Sequence, residues 1–591
     1  LNSSYLKALR FCSVLVATSA VVSCSEDPTG DGLRAPVFAK VSGDSQTVAP
    51  LTNSAPLVVR LTDTEGDTLA GVVVTFTVTA GLGTVTVLDT TDADGLASTI
   101  FAAPGNAGAR KIRARVSGGM DLFFDLLVGA GAPAAIVAAE GAQQGTNVST
   151  AYPTQLGAKV TDGWGNPIAG VKVAWSIVSG GGSVAADTTV TGADGVAHVA
   201  RTAGATVGGQ VARAVAVGIA DTALFHGTGK KPITVLAGGN NVTTQCTSDL
   251  WINGNYAYTG TWGSCFGQGA KVLHVWNVAA GVTRDTTITI GAGGGTVSDN
   301  EVSDDGSLML VTFEGGGAAS GLYLYSLANP ARPALLSFEP VGTGLHTGTF
   351  GIVGGKRYIF ASKDPGAPAV ITYRVQVDSA DKLVPIDTIP VAANYGAHDQ
   401  FFRDGYLFAS VWNAGLQIYD VGAGTSGGSP AAPVLVSTIV TASMGLSCNC
   451  VHNAWWYHDS AGGKRYVFVG QEGPGSVGTS SSGSIHVVDV SNLSAPNEVA
   501  TFTLGPVNGQ ATGVHNFWMD ETRGILYAAY YNGGVVALDV TGTLSGDLAG
   551  REIARIQPGG AGDTYVWGVM LANGALWASD MVSGLWKLSP P

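Results

Sequence analysis

Seven short apolar segments recur in the second part of the chain: VLHVWNV (272–278), GLYLYSL (321–327), VITYRV (370–375), GLQIYDV (415–421), SIHVVDV (484–490), GVVALDV (534–540) and GLWKLS (584–589). They return about every 46 to 50 residues, with one longer interval before SIHVVDV. Upstream of each lies another apolar segment: YAYTGTW, LMLVTFE, RYIFASK, YLFASVW, RYVFVGQ, ILYAAYY and ALWASDM. Several are followed by a proline-bearing turn and a further strand pattern, as in ANPARPALLSF. Three or four strands in each of seven units is the arithmetic of a seven-bladed β-propeller over residues 230–591. Blades stacked face to face bury both sides of their middle strands, which accounts for segments apolar on both faces. LWKL is the third strand of the last unit, and PITVLAG (232–238) stands alone before the first. The expectation is that PITVLAG completes the last blade and closes the ring, so that no sheet edge stays open.

GLQIYDVGAGTSGGSPAAPVLVSTI resembles the LVIVD repeat of bacterial surface propellers, and SIHVVDVSNLSAPNEVATF fits that repeat more closely. The resemblance implies the fold but says little about activity, because propellers host many functions.

Residues ahead of the propeller contain a second, longer repeat. VVRLTDTEGDTLAGVVVTFTVTAGLGTVTV followed by TDADGLAS is matched by LGAKVTDGWGNPIAGVKVAWSIVSGGGSVAA followed by TGADGVAH. Alternating valines with small residues, broken by Asp-Gly turns, predict half-buried strands of β-sandwiches. Both copies resemble bacterial Ig-like domains of group 1, over residues 37–131 and 132–229. The fold class expected of the chain is therefore all-β: two Ig-like β-sandwiches followed by a seven-bladed β-propeller. The sandwiches are read as spacers in preference to binding modules.

Lys7 and Arg10 precede FCSVLVATSAVV, which ends in Val21-Val22-Ser23-Cys24 and turns polar at once. This is the pattern of an export signal, and VVSC resembles the bacterial lipobox, which implies lipidation of Cys24. Residues 1–24 are thus expected to be a lipoprotein signal peptide and 25–36 a tether. The expected location is the cell envelope, as an outer-membrane-anchored lipoprotein or at the cell surface, with the lipid anchor as membrane contact. A net charge of −13 without a basic stripe argues against nucleic acid as a partner. The partners expected are a surface polysaccharide or an envelope protein.

Aligning the first strand of each unit reveals GLHT at His346, GAHD at His398, CVHN at His452 and GVHN at His515. Four of the nine histidines therefore share one position in four successive blades. Blades one and two carry Ser248-Asp249 and Ser298-Asp299 there, and blade seven carries Trp567-Gly568. The first strand of a blade lines the central channel, so four imidazoles are expected to ring one mouth of it. Imidazole suits copper, zinc, iron or nickel. Two readings stay open: an architectural histidine in each blade, or a ligand or divalent-metal site. No cofactor is certain, and enzymatic activity is left undecided.

Accessory groups expected at the same mouth are Asp249, Asp299, Asp399, Glu314, Glu472, Trp412 and Tyr531. Glu472 or Asp399 would be the base if the site were a metalloenzyme. The blade-five loop GQEGPGSVGTSSSG reads as a mobile lid or a flexible insertion. An exported chain is expected to form disulfides, and Cys246–Cys265 is the preferred bridge. Cys448, Cys450 and His452 alternate as ligands in an extended strand would, which leaves a separate metal site open there. The function expected is that of a lipid-anchored surface protein whose propeller binds a ligand at its His-bearing face. The alternatives are a metal-dependent enzyme and a purely structural or adhesive component.

Overall fold

The computed structural model describes residues 34–263, 270–291, 294–315, 317–364, 367–376, 382–391, 396–440 and 450–591. The expected signal peptide, Cys24 and most of the expected tether fall outside the described residues. Among those residues no helix is long and apolar enough to cross a membrane. The chain divides into two compact units, Leu1–Ala132 with Trp164–Asn166, and Pro133–Gly163 with Pro167–Pro591.

The first unit holds a β-sandwich. One sheet pairs Pro36–Ser42, Leu57–Asp63 and Leu96–Thr99; the other has five strands, centred on Gly108–Val116. Leu57, Val59 and Leu61 alternate inward and meet Phe76, Ile112 and Phe124 between the sheets, the period-two burial expected of a sandwich strand. The second unit begins with a sandwich of the same strand order. Its core sets Trp175 against Phe225, with ring centroids 5.5 Å apart. The Asp-Gly turn repeated in both sequences has a structural reason. Gly95 and Gly195 sit at φ 71° and 77°, and their carbonyls accept Leu61 N–H and Val160 N–H. A Cβ at Gly95 would lie 2.5 Å from the Leu61 carbonyl oxygen, so only glycine fits.

Seven four-stranded antiparallel sheets follow, and the fifth is extended by the parallel pair Gly546–Asp547. The innermost strands are Cys246–Asn253, Thr296–Val302, Gly348–Val353, Asp399–Arg403, Val451–Tyr457, Phe517–Asp520 and Val566–Ala572. Each touches the next, and Val566–Ala572 returns against Cys246–Asn253, so the sheets form a closed seven-membered ring. Closure is made as the lone PITVLAG segment predicts: Thr234–Gly238 pairs antiparallel with Gly584–Ser589 as the outer strand of the last blade. Middle strands such as Tyr406–Val411 and Ala575–Asp580 are buried along their whole length. Outer strands such as Ala334–Pro340 are not.

The blade-five loop differs from the mobile or flexible segment expected of it. Gly473–Pro474 and Ser481–Ser482 form a small ladder, and Ser481 Oγ donates to Asn532 Oδ1 at 2.9 Å. Asn532 Nδ2 donates to the Thr479 carbonyl, and Tyr565 OH to that of Ser480. Side chains from blades six and seven thus tie the loop down, a role that glycine content cannot reveal.

Candidate metal and ligand site in the propeller channel

The histidines reach the channel in matching register. The backbone N–H of His346, His398 and His515 donates to the carbonyls of Ser362, Ser410 and Ala529, each near the end of its blade's second strand. In blades one, two, five and seven the inner strand bulges at this point, between Thr247 and Leu250, Val297 and Asn300, Val451 and Asn453, and Val566 and Gly568. A bulge re-aims consecutive side chains, so the aligned residue and its successor serve different layers of the channel.

In the first layer the imidazoles are nearest neighbours. Ring centroids are 4.0 Å apart for His346–His398, 4.5 Å for His398–His452 and 3.9 Å for His452–His515. The circle continues through Trp567, 4.2 Å from His515, and Trp262, 4.9 Å from Trp567, and returns to His346 at 5.7 Å. Trp412 packs 4.1 Å from His398 and Tyr531 4.9 Å from His515. All four histidines are at most 5% exposed.

Hydrogen bonds fix three of the four rings. His346 Nδ1–H donates to Glu314 Oε1 at 3.2 Å, His398 Nδ1–H to Asp364 Oδ2 at 3.0 Å, and His515 Nδ1–H to the Trp567 carbonyl at 2.8 Å. In a neutral imidazole this places the free lone pair on Nε2. His452 is buried, and among the described residues neither of its ring nitrogens has a hydrogen-bond partner. Glu472 Oε2 lies 3.9 Å from Nε2 of both His398 and His452, and its other oxygen accepts Tyr531 OH. Two sets of three ligand atoms therefore gather within 4.8 Å: His346, Asp364 and His398, and His398, His452 and Glu472, with His398 common to both.

Electrostatics follow from burial and these partners. Burial and the charge on His346 push His398 down to about 4, and burial with the neighbouring imidazoles holds His452 and His515 well below the usual histidine range. At His346 burial acts the same way, but Glu314, then Asp364 and Glu472, outweigh it and lift the ring to about 9. Burial raises Glu472 to about 7, with the Tyr531 hydrogen bond opposing. Asp364 stays below the usual carboxylate range despite its burial, because it accepts from His398. The layer holds one positive charge among three acidic groups.

Glu314, Glu472, Trp412 and Tyr531 thus sit in the histidine layer. Asp249, Asp299 and Asp399 do not share it as expected: they line a cavity of about 1010 Å³ whose wall includes none of the four histidines. The carboxyls of Asp249 and Asp299 hydrogen-bond to each other, Asn516 Nδ2 donates to Asp249 at 2.8 Å, and Gly348 N–H donates to Asp299 at 2.8 Å. Burial raises both carboxyls, and raises Asp399 to about 7. Trp262, which sequence alignment left out of the site, comes from the end of blade one's second strand, the position that supplies Glu314 in blade two. Cys246 is buried against Tyr531, Tyr565, Trp567 and Met581, and Cys450 is buried one residue before its inner strand. Cys265 and Cys448 lie outside the described residues, and with them the expected Cys246–Cys265 bridge and the Cys448–Cys450–His452 arrangement.

The LVIVD repeat family model matches residues 246–264 and 480–503. No curated protein matches the chain. Among solved structures, the β-propeller domain of Cps50 (Swd1) from Myceliophteria thermophila is 12% identical, covering 61% of this chain and 100% of that one with a TM-score of 0.40. The C-terminal WD40 domain of Sif2 is likewise 12% identical, covering 61% of this chain and 99% of that one, also at 0.40. The D0–D1 domain of intimin is 16% identical over 33% of this chain and 100% of its own, with a TM-score of 0.15. At such scores the likeness adds nothing to the strand pairing, on which the fold assignment stands. The chain combines Ig-like domains with a β-propeller, and the LVIVD repeat matches fall in blades one and five.

Proposed function

We propose that the histidine layer binds a divalent transition-metal ion, and that the chain is an exported surface protein presenting this site on an Ig-like stalk. One observation carries the reading: His398 and His515 are each held at Nδ1 by an acceptor that leaves Nε2 available, while the buried His452 has no hydrogen bond at either ring nitrogen among the described residues. A carboxylate or carbonyl behind each histidine is the arrangement that orients metal-ligating imidazoles and raises their basicity. An architectural histidine would use its nitrogens within the fold, and a buried ring with both unbonded is costly. His398, His452 and Glu472 form the core set, with His346 and Asp364 adjoining. Two imidazoles and a carboxylate suit iron, zinc, nickel or copper more than calcium or magnesium.

Titrating the purified chain with cobalt(II) tests this, since its visible bands report ligand number and geometry. A saturable ligand-field spectrum at one equivalent is expected. Cobalt that washes away on desalting without such bands would refute the site.

The Val21-Val22-Ser23-Cys24 sequence supports lipidation of Cys24 and a place in the cell envelope, and a surface polysaccharide or envelope protein is the partner proposed for a protein in that place. Metabolic labelling with a fatty-acid analogue tests the anchor; label retained by Cys24→Ala would contradict it.

A further inference from the structure

Beyond the histidine layer the channel opens into a second chamber with different chemistry. The innermost strands repeat a four-residue pattern: SDLW at 248–251, HDQF at 398–401, HNAW at 452–455 and HNFW at 515–518. The second and fourth residues of each pattern line the chamber of about 1010 Å³. Its aromatic wall is continuous. Trp251 and Trp518 are 5.8 Å apart, Trp518 and Trp455 5.4 Å, and Trp455 and Phe401 5.0 Å. Facing the same space are Asp249, Asp299, Asp399 and Glu301. The arginines of the wall are spoken for: Arg357 bonds Asp305 and Arg403 pairs with Glu521. None of the four carboxyls has a basic partner among the described residues.

We propose that this chamber binds a small protonated organic amine, its ammonium group held by the carboxyls around Asp299 and Asp399 and its carbon skeleton lying along the tryptophan wall. Aromatic faces attract organic cations, and the chamber has the size of a small-molecule pocket. A lone calcium ion would use the carboxyls but leave the indoles and most of the volume without a purpose. A quaternary ammonium would use the indoles but donate no N–H to the carboxyls. The site is separate from the proposed metal layer and does not depend on it.

Titration of the full chain with 1,4-diaminobutane, read by tryptophan fluorescence, tests the proposal, with tetramethylammonium and calcium chloride as parallel probes. A saturable change with the diamine is expected, at least tenfold weaker in Asp299→Asn/Asp399→Asn and several-fold weaker in Trp518→Leu. Thermal unfolding of each variant verifies that it is folded, and the two variants attack the site from different walls. No saturable change with the diamine overturns the proposal. So does equal binding of tetramethylammonium, or a response to calcium alone.

Discussion

Asp364 Oδ2 accepts from His398 Nδ1 at 3.0 Å and from Trp412 Nε1 at 3.1 Å, so one carboxylate oxygen sets both the tautomer of the ring and the indole packed upon it. His398 is the residue shared by the two candidate ligand sets. Replacing Asp364 with alanine is expected to weaken metal binding roughly 10- to 100-fold, the usual cost of losing a carboxylate behind a ligating histidine. It also leaves the buried His398 Nδ1–H and the half-buried Trp412 Nε1–H without an acceptor, for a loss of about 1–3 kcal/mol in stability. Competition titration against a chromophoric chelator, alongside chemical denaturation, measures both. Unchanged metal affinity in Asp364→Ala would separate the carboxylate from the site.

Ring closure makes a second prediction. Residues Thr234–Gly238 are the outer strand of the last blade, more than 340 residues from their partners in Gly584–Ser589. Val235 and Ala237 pair with Leu588 and Lys587 across a bulge at Leu236, and prolines there fix φ and take N–H groups out of the pairing. Val235→Pro/Leu236→Pro is expected to destabilise the propeller by about 3 kcal/mol or more and to expose Gly584–Ser589 as an open edge. Calorimetry and light scattering should show a lower midpoint with earlier aggregation. A variant that unfolds like the parent would mean that the ring does not rely on this strand.

Asp420 gives a pH dependence with a definite sign. Burial acts against its charge, but N–H donors from Ser426, Gly422, Ala423 and Gly428 outweigh it and hold the carboxyl down to about 2 from an ordinary 3.8. A carboxyl depressed on folding stabilises fully above its unfolded pKa and loses that contribution as pH falls through the folded one. The turn after Gly415–Asp420 is therefore expected to lose stability between pH 3.8 and about 2. Asp420→Ala should cost about 3 kcal/mol at neutral pH. It should also flatten that part of the acid-unfolding curve; a parallel curve for the variant would place the acid sensitivity elsewhere.

What the sequence conveyed followed from repetition. Spacing of the apolar segments is set by the blade itself, so blade number, closure by PITVLAG and the equivalence of His346, His398, His452 and His515 could be read by alignment. The layering of the channel could not. Simple alternation puts His452 and Asn453 on opposite faces of one strand, yet they serve the channel at different depths, because the inner strand bulges between Val451 and Asn453. Bulges between Thr247 and Leu250 and between Val297 and Asn300 likewise carry Asp249 and Asp299 to the cavity, where Asp399 joins them as the first residue of its regular inner strand. Trp262 escaped for another reason. It closes the aromatic circle against Trp567 and His346, contacts that bring together blades far apart in sequence.

The central claim is that the histidine layer holds a metal around His398, His452 and Glu472, and elemental analysis of the full chain tests it most directly. About one transition-metal ion per chain is predicted for the parent after metal loading and desalting. The folded His398→Ala/His452→Ala variant should retain none. A parent that stays metal-free, or a variant that keeps the same metal content, would contradict the account.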